Sequence, residues 1–176
     1  MIKTILEFVK TIFIAVAIAL LITTFFDPTL VKGYSMYPTI QPNNFLIINK
    51  IPYMNGEPKF GDIIVFKAQV ESLGEQEKDL IKRVIGVAGD TISVTDGLVY
   101  RNGVALDEPY IYIGGTPGEM DQVTVEADKL FVMGDNRTVS LDSRDERLGQ
   151  IPVKDVLGRA DLRLFPFTEI GSLQSK

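Results

Sequence analysis

The 176-residue chain has no histidine, no cysteine and no tryptophan. Without histidine there is no imidazole base for a Ser-His-Asp triad, and with cysteine also missing the usual zinc ligands are gone. The lack of cysteine rules out disulfides and leaves the redox compartment open. No run of basic residues occurs, and the net charge of -5 with a pI near 4.8 argues against a nucleic-acid partner, whose phosphates require a basic face. Gly-x-Ser-x-Gly and Ser-x-x-Lys are both absent, which sets aside an α/β-hydrolase elbow and a penicillin-binding-type site. Acids are plentiful, but none are paired in a way that marks a glycosidase, and no tryptophan is available to support one.

Apolar residues are concentrated at the start. Residues 11–26, TIFIAVAIALLITTFF, carry no charge and follow Lys3, Glu7 and Lys10. That core spans roughly 24 Å as a helix, short of a ~30 Å hydrocarbon layer, so residues 5–9 must join it while Lys10 snorkels to the headgroups. A cleavable leader would need a small-x-small site after the core, and Phe25, Phe26, Asp27 and Pro28 supply none. An uncleaved anchor over residues 1–27 is therefore expected, in contact with membrane lipid. The lysines before the span place the N-terminus in the cytoplasm and residues 28–176 on the outer face of the cell membrane. A buried helix of a soluble protein is disfavoured, because no other segment is helical enough to pack against it.

Beyond Pro28 the periodicity becomes that of strands. Residues 45–51 (FLIINKI), 62–68 (DIIVFKA), 80–87 (LIKRVIGV), 91–94, 98–100 and 130–133 are short β-rich runs bounded by Gly, Asp, Asn or Pro. Asp96-Gly97 and Asn102-Gly103 are strong hairpin turns, since a type I′ turn needs positive φ at both central positions. Residues 70–79 and 112–122, rich in charge and glycine, are expected as surface loops. The fold class is mainly β, built of antiparallel sheets behind one transmembrane helix.

In VKGYSMYPTI, Ser35 stands between a glycine turn and a proline turn, which presents its hydroxyl as a nucleophile. With no histidine available, the proton acceptor must be another base. Lys82 and Arg83 are adjacent in an apolar strand; alternation sets Lys82 with Leu80 and Val84, and Arg83 with Ile81 and Ile85. A buried lysine can shed its proton and act as a base, whereas arginine stays charged and needs a carboxylate. The segment alone leaves two readings open, a buried base or an edge strand carrying two solvated cations. A second polar cluster, GDNRTVSLDSR over residues 134–144, alternates charges in the manner of a surface network, unless it frames the serine and the lysine.

Taken in order, the apolar segment, Ser35-Met36-Tyr37-Pro38-Thr39, Gly61-Asp62-Ile63-Ile64-Val65-Phe66, Lys82-Arg83-Val84-Ile85-Gly86 through Gly89-Asp90, and Gly134-Asp135-Asn136-Arg137 with Ser140, Asp142, Ser143 and Arg144 resemble the bacterial type I signal peptidases. These are the membrane-bound Ser/Lys endopeptidases of family S26. The resemblance covers nearly the whole chain and favours the short, single-anchor Gram-positive branch. It implies a β fold shared with the self-cleaving SOS repressors, no cofactor or metal, and preprotein signal peptides as partners. By the same resemblance Ser35 is the nucleophile, Lys82 the base and Ser140 the hydroxyl orienting the lysine. The Ser35 N–H is one oxyanion donor, and Gly33 stands where some members place a second, a serine. Met36, Leu80 and Ile81 match the pocket for a small residue before the cut, as in Ala-x-Ala ends. Arg83 with Asp135, and Asp142 with Arg144, match structural ion pairs. Ala88 replaces a frequent proline. The rival from another class is an inactive, membrane-tethered β module that binds signal peptides or partner proteins. Among proteases the rival is an SOS-type repressor, disfavoured by the apolar N-terminus in place of a DNA-binding module.

Overall fold

The computed structural model describes residues 2–68, 78–112 and 114–173. Helix α1 runs Ile2–Phe25 and is apolar on all sides. It is long enough to cross a membrane, about 36 Å at 1.5 Å per residue. Its side chains stand exposed, Phe8 at 68% and Phe13 at 74%, with none of its central window buried against the rest of the protein. Such a surface is stable only in an apolar medium. Phe26, expected at the helix end, opens the first strand instead.

Among the described residues twelve strands follow: β1 (Phe26–Leu30), β2 (Phe45–Asn49), β3 (Ile63–Ala68), β4 (Lys78–Val87), β5 (Thr91–Thr95), β6 (Leu98–Arg101), β7 (Val104–Ala105), β8 (Met120–Thr124), β9 (Lys129–Met133), β10 (Ile151–Pro152), β11 (Val156–Phe165) and β12 (Gly171–Ser172). They form a large antiparallel sheet in the order β1-β2-β11-β3-β4-β9-β10, with β12 on β11, and a small sheet in the order β7-β6-β5-β8. Both expected hairpin turns are present, with φ of 52° and 78° at Asp96-Gly97 and 53° and 76° at Asn102-Gly103.

The central strands are buried on both faces. Ile63 and Val65 pack with Met36, Ile40, Leu46 and Ile48, while Ile64, Phe66 and Ala68 of the same strand pack with Val84, Leu130 and Val132. On β9 the alternate residues Phe131 and Met133 turn to Ile85, Ile92, Val94 and Val99, which seats the small sheet on the large one. Two-sided burial explains why these strands read as continuous apolar runs.

The loop expectations need correction. Most of residues 70–79 lies outside the described residues, but Lys78 and Asp79 begin β4. Within 112–122, Met120 to Gln122 belong to β8, and Thr116 is buried because Arg137 reaches it.

Candidate active site

The segment between β1 and β2 positions Ser35. Val31 exchanges backbone bonds with Asn43 and Asn44, and Met36 and Ile40 are buried as apolar anchors on either side of the Tyr37-Pro38 turn. The Ser35 carbonyl accepts the Asn136 N–H at 2.9 Å, tying the serine loop to the polar cluster after β9. With its backbone held on both sides, Ser35 itself remains partly exposed.

Strand β4 supplies the lysine. It is interior to the sheet, with Lys82 opposite Ile64 on β3 and Arg83 opposite Met133 on β9, so the solvated edge-strand reading fails. Both cations are 2% exposed. The Lys82 Nζ lies 3.0 Å from Ser35 Oγ and 3.0 Å from the Ile81 carbonyl. Burial brings its pKa down to about 8 from 10.5, against the opposing pull of Asp142 and Asp135. Removing the amine from water penalises only its charged form, so a far larger fraction of neutral amine than a free lysine has faces the hydroxyl near physiological pH.

Arg83 solves the same burial problem by pairing. Its Nε and Nη2 donate to the two oxygens of Asp135 at 2.9 and 2.7 Å, with side-chain exposures of 3% and 0%. Thr39 of the serine loop donates its hydroxyl to the same carboxylate at 2.5 Å. Asp142 holds Arg144 at 2.8 and 2.9 Å and also accepts the Gly134 N–H at 3.1 Å. Arg144 in turn donates to the Arg137 carbonyl at 2.8 Å. The alternating charges of residues 134–144 are thus largely buried and paired, Asp142 with Arg144, Asp135 with Arg83 and Arg137 with Glu108, rather than solvated.

Ser140 Oγ is buried and has no hydrogen-bond partner among the described residues. Its hydroxyl faces Gly134, where an added Cβ would overlap both Ser140 Oγ and the Ser35 carbonyl. Gly134 is therefore required for close approach, a role that sequence reading missed. Gly134→Ala is expected to push the serine loop outward and reduce turnover at least about 100-fold, since an ångström of misplacement costs that much. Turnover within a few-fold of wild type, in a steady-state cleavage assay, would show that the loop adapts.

Met36, Leu80 and Ile81 come together with Ser35 and Lys82 in a groove of about 630 Å³ between residues 29–33 and the start of β4. Gly33 lines the same groove, and an added Cβ there would meet nothing within 4 Å. A serine hydroxyl, a buried amine of lowered pKa and an apolar trough in continuous contact have the chemistry that cleavage of a peptide laid along the trough would need.

The model of the signal peptidase family, peptidase S26, matches residues 5–165. The chain belongs to this family. It is 40% identical to the signal peptidase I of Bacillus licheniformis over 96% of this chain and 92% of that one. It is 39% identical to signal peptidase I T of Bacillus subtilis (strain 168), over 96% and 89% respectively. With the signal peptidase I of Leptolyngbya laminosa it shares 40% identity over 96% of this chain and 83% of the relative. A solved signal peptidase I from Enterococcus faecalis superposes with a TM-score of 0.48 at 28% identity, covering 58% of this chain and 96% of that one. Membership rests on the sequence matches, and it makes the chain a serine endopeptidase of the Bacillus type.

Glu108, Tyr110 and Thr116 were not legible as parts of this signal peptidase's site. Glu108 binds Arg137 through two bonds of 2.9 and 2.6 Å, and Thr116 accepts a third from the same guanidinium. Nothing in the spacing of residues 108 and 137 announces their pairing, because the small sheet intervenes.

Proposed function

We propose that the chain cleaves signal peptides from exported preproteins through a dyad of Ser35 and Lys82, after a small residue. The observation that carries this reading is the 3.0 Å approach of a buried amine, with its pKa held near 8, to a partly exposed serine hydroxyl. In its neutral form the Lys82 amine donates to the Ile81 carbonyl and accepts the Ser35 proton as Oγ attacks the scissile carbonyl. An acyl-enzyme forms, the amine returns the proton to the departing nitrogen, and water then releases the signal peptide.

The Ser35 N–H has no hydrogen-bond partner among the described residues, which leaves it free to donate to the developing oxyanion. Gly33 offers no side-chain donor beside it. Ser140 is the group that orients the lysine: a buried hydroxyl without a partner is costly, and the cost is recovered when the amine turns to it. Arg83 with Asp135 and Asp142 with Arg144 keep this frame closed.

Met36, Leu80 and Ile81, which line the groove beside Ser35, form the shallow receptacle that selects a small residue before the cut. Helix α1 anchors the domain in the cell membrane, and β1 follows it without a linker, so the groove lies close to the lipid surface from which a signal peptide's end emerges. Lys3 and Lys10 orient the N-terminus to the cytoplasm.

The test is cleavage of a preprotein in lipid by wild type and Ser35→Ala, with alanine or leucine before the cut. Only wild type acting on the alanine substrate should turn over. Equal processing of the two substrates would remove the shallow pocket, and activity in Ser35→Ala would remove the nucleophile.

A further inference from the structure

The segment 106–112 leaves the small sheet after β7 and crosses beneath the ion pairs of the large one. It is fastened at several points. Leu106 N–H donates to Val99 O at 2.8 Å, and Tyr112 N–H donates to Asp135 O at 3.2 Å. The Tyr112 ring meets Tyr37, two residues past the nucleophile, edge to face at 4.7 Å. Between these fastenings the Tyr110 ring lies over the Arg83 guanidinium, 3.9 Å from carbon to centroid. Its hydroxyl donates to Glu108 at 2.8 Å, and Glu108 is held by the fully buried Arg137. Burial first, and the Glu108 charge second, push the Tyr110 phenol well above its ordinary range, so it remains a neutral donor throughout the working pH.

We propose that Tyr110, seated by Glu108, is a positioning residue for the cleavage reaction: its ring holds Arg83 on Asp135 and so sets the field in which the Lys82 amine gives up its proton. The inference rests on the reading of Lys82 as the base. The charges facing Lys82 are Asp135 and Asp142, both of which favour its protonated form. Each is neutralised by an arginine, Arg83 on the first and Arg144 on the second. The Arg137–Glu108 pair lies behind them and is neutral as a unit. Asp135 meets Arg83 along the guanidinium edge, while the flat face is covered by Tyr110, so the ring closes the side from which water would enter. If the ring is removed, Arg83 gains a solvated alternative to Asp135. The Asp135 charge then acts on Lys82 less opposed, and water weakens the burial that holds the amine neutral. Both changes have the same sign, and both raise the lysine pKa.

The experiment uses the full chain in detergent micelles, with ¹³C-labelled lysine. The Lys82 ε-carbon resonance is assigned as the one missing from Lys82→Met and is titrated alongside the pH profile of preprotein cleavage. Tyr110→Ala should raise the Lys82 midpoint by about one pH unit, a plausible share of a burial-driven shift. The kcat limb should move with it, cutting kcat about ten-fold below the midpoint, while KM stays within two-fold because the groove is untouched. Tyr110→Phe retains the ring over Arg83 but loses the bond to Glu108, and should shift the midpoint by less than half as much as Tyr110→Ala. Should the alanine variant fail to fold, Tyr110→Leu fills the volume without an aromatic face and should still shift the midpoint upward by about half a unit. An unchanged midpoint in a folded Ala or Leu variant overturns the proposal, as does a shift in Tyr110→Phe as large as that in Tyr110→Ala. Residual activity in Lys82→Met would instead refute the lysine as base, an outcome that the titration reports separately.

Discussion

Lys82→Arg is expected to abolish cleavage, by about 10³-fold or more, while leaving the charge and much of the bulk in place. A guanidinium does not surrender its proton in this pH range, so it cannot take one from Ser35. In wild type the rate should climb with pH along a limb centred near 8, where the lysine pKa lies. At pH 8 about half the amine is then neutral, against about 0.3% for a lysine left at 10.5. The same burial makes Lys82 a stability liability. Its folded pKa is depressed, so between pH 8 and 10.5 the unfolded chain binds more protons and stability rises with pH; below pH 8 the penalty is fully present. Lys82→Met should accordingly be inactive yet more stable at pH 7, by at most about 3 kcal/mol. Denaturant midpoints across pH 6 to 11 measure this directly. Preprotein cleavage by Lys82→Arg, with Ser35 still required, would transfer the role of base elsewhere.

Removing the Asp135 carboxylate should produce the largest loss of stability. Its partner Arg83 is 2% exposed and cannot reach water, so Asp135→Ala strands a buried cation and is expected to cost about 3–5 kcal/mol. Thr39 loses its acceptor at the same time, which loosens the loop carrying Ser35, and turnover should fall together with stability. Replacing both members, as Arg83→Met with Asp135→Leu, should restore much of the stability because no charge is left unpaired, but not the activity. Equilibrium unfolding of the two single variants and the double variant forms the cycle that measures this coupling. An additive cycle would mean that the pair contributes little beyond its separate side chains.

β3, β4 and β9 were legible because most of their residues are buried on both faces, and β2 because buried residues alternate with half-buried ones. The runs at 45–51, 62–68, 80–87 and 130–133 correspond to β2, β3, β4 and β9, with boundaries within about two residues. The two-residue strands β7, β10 and β12 are too short to show a period, and three longer strands also escaped the pattern. β1, FDPTL, holds a proline and an aspartate and sits at the edge of the large sheet; β8, MDQVT, is largely exposed at the edge of the small one. β11, VLGRADLRLF, is interior, yet it carries Arg159, Asp161 and Arg163 at alternate positions, with Arg159 and Asp161 paired to each other and to neighbours such as Asn49 on β2 and Asp62 just before β3. Its pairing is broken by register shifts, which blur a period of two.

Ser35 and Lys82 could be picked out before any folding was known, because a chain without histidine or cysteine has few ways to activate a serine, and a lysine in an apolar strand stands out against its neighbours. The N-terminal apolar helix was legible for a similar reason, since a long uncharged run needs no partner to declare itself. The state of the lysine could not be read in that way. Its pKa depends on how much water is excluded and on which carboxylates stand nearby, and Asp135 and Asp142 reach it only through the pairing of β4 with β9. The buried arginine pairs follow the same logic: Glu108 and Arg137 lie 29 positions apart and meet because the small sheet folds back over the large one. Local pattern identifies groups able to do chemistry, whereas desolvation and Coulomb terms sum over neighbours that are distant along the chain and adjacent only in the folded protein.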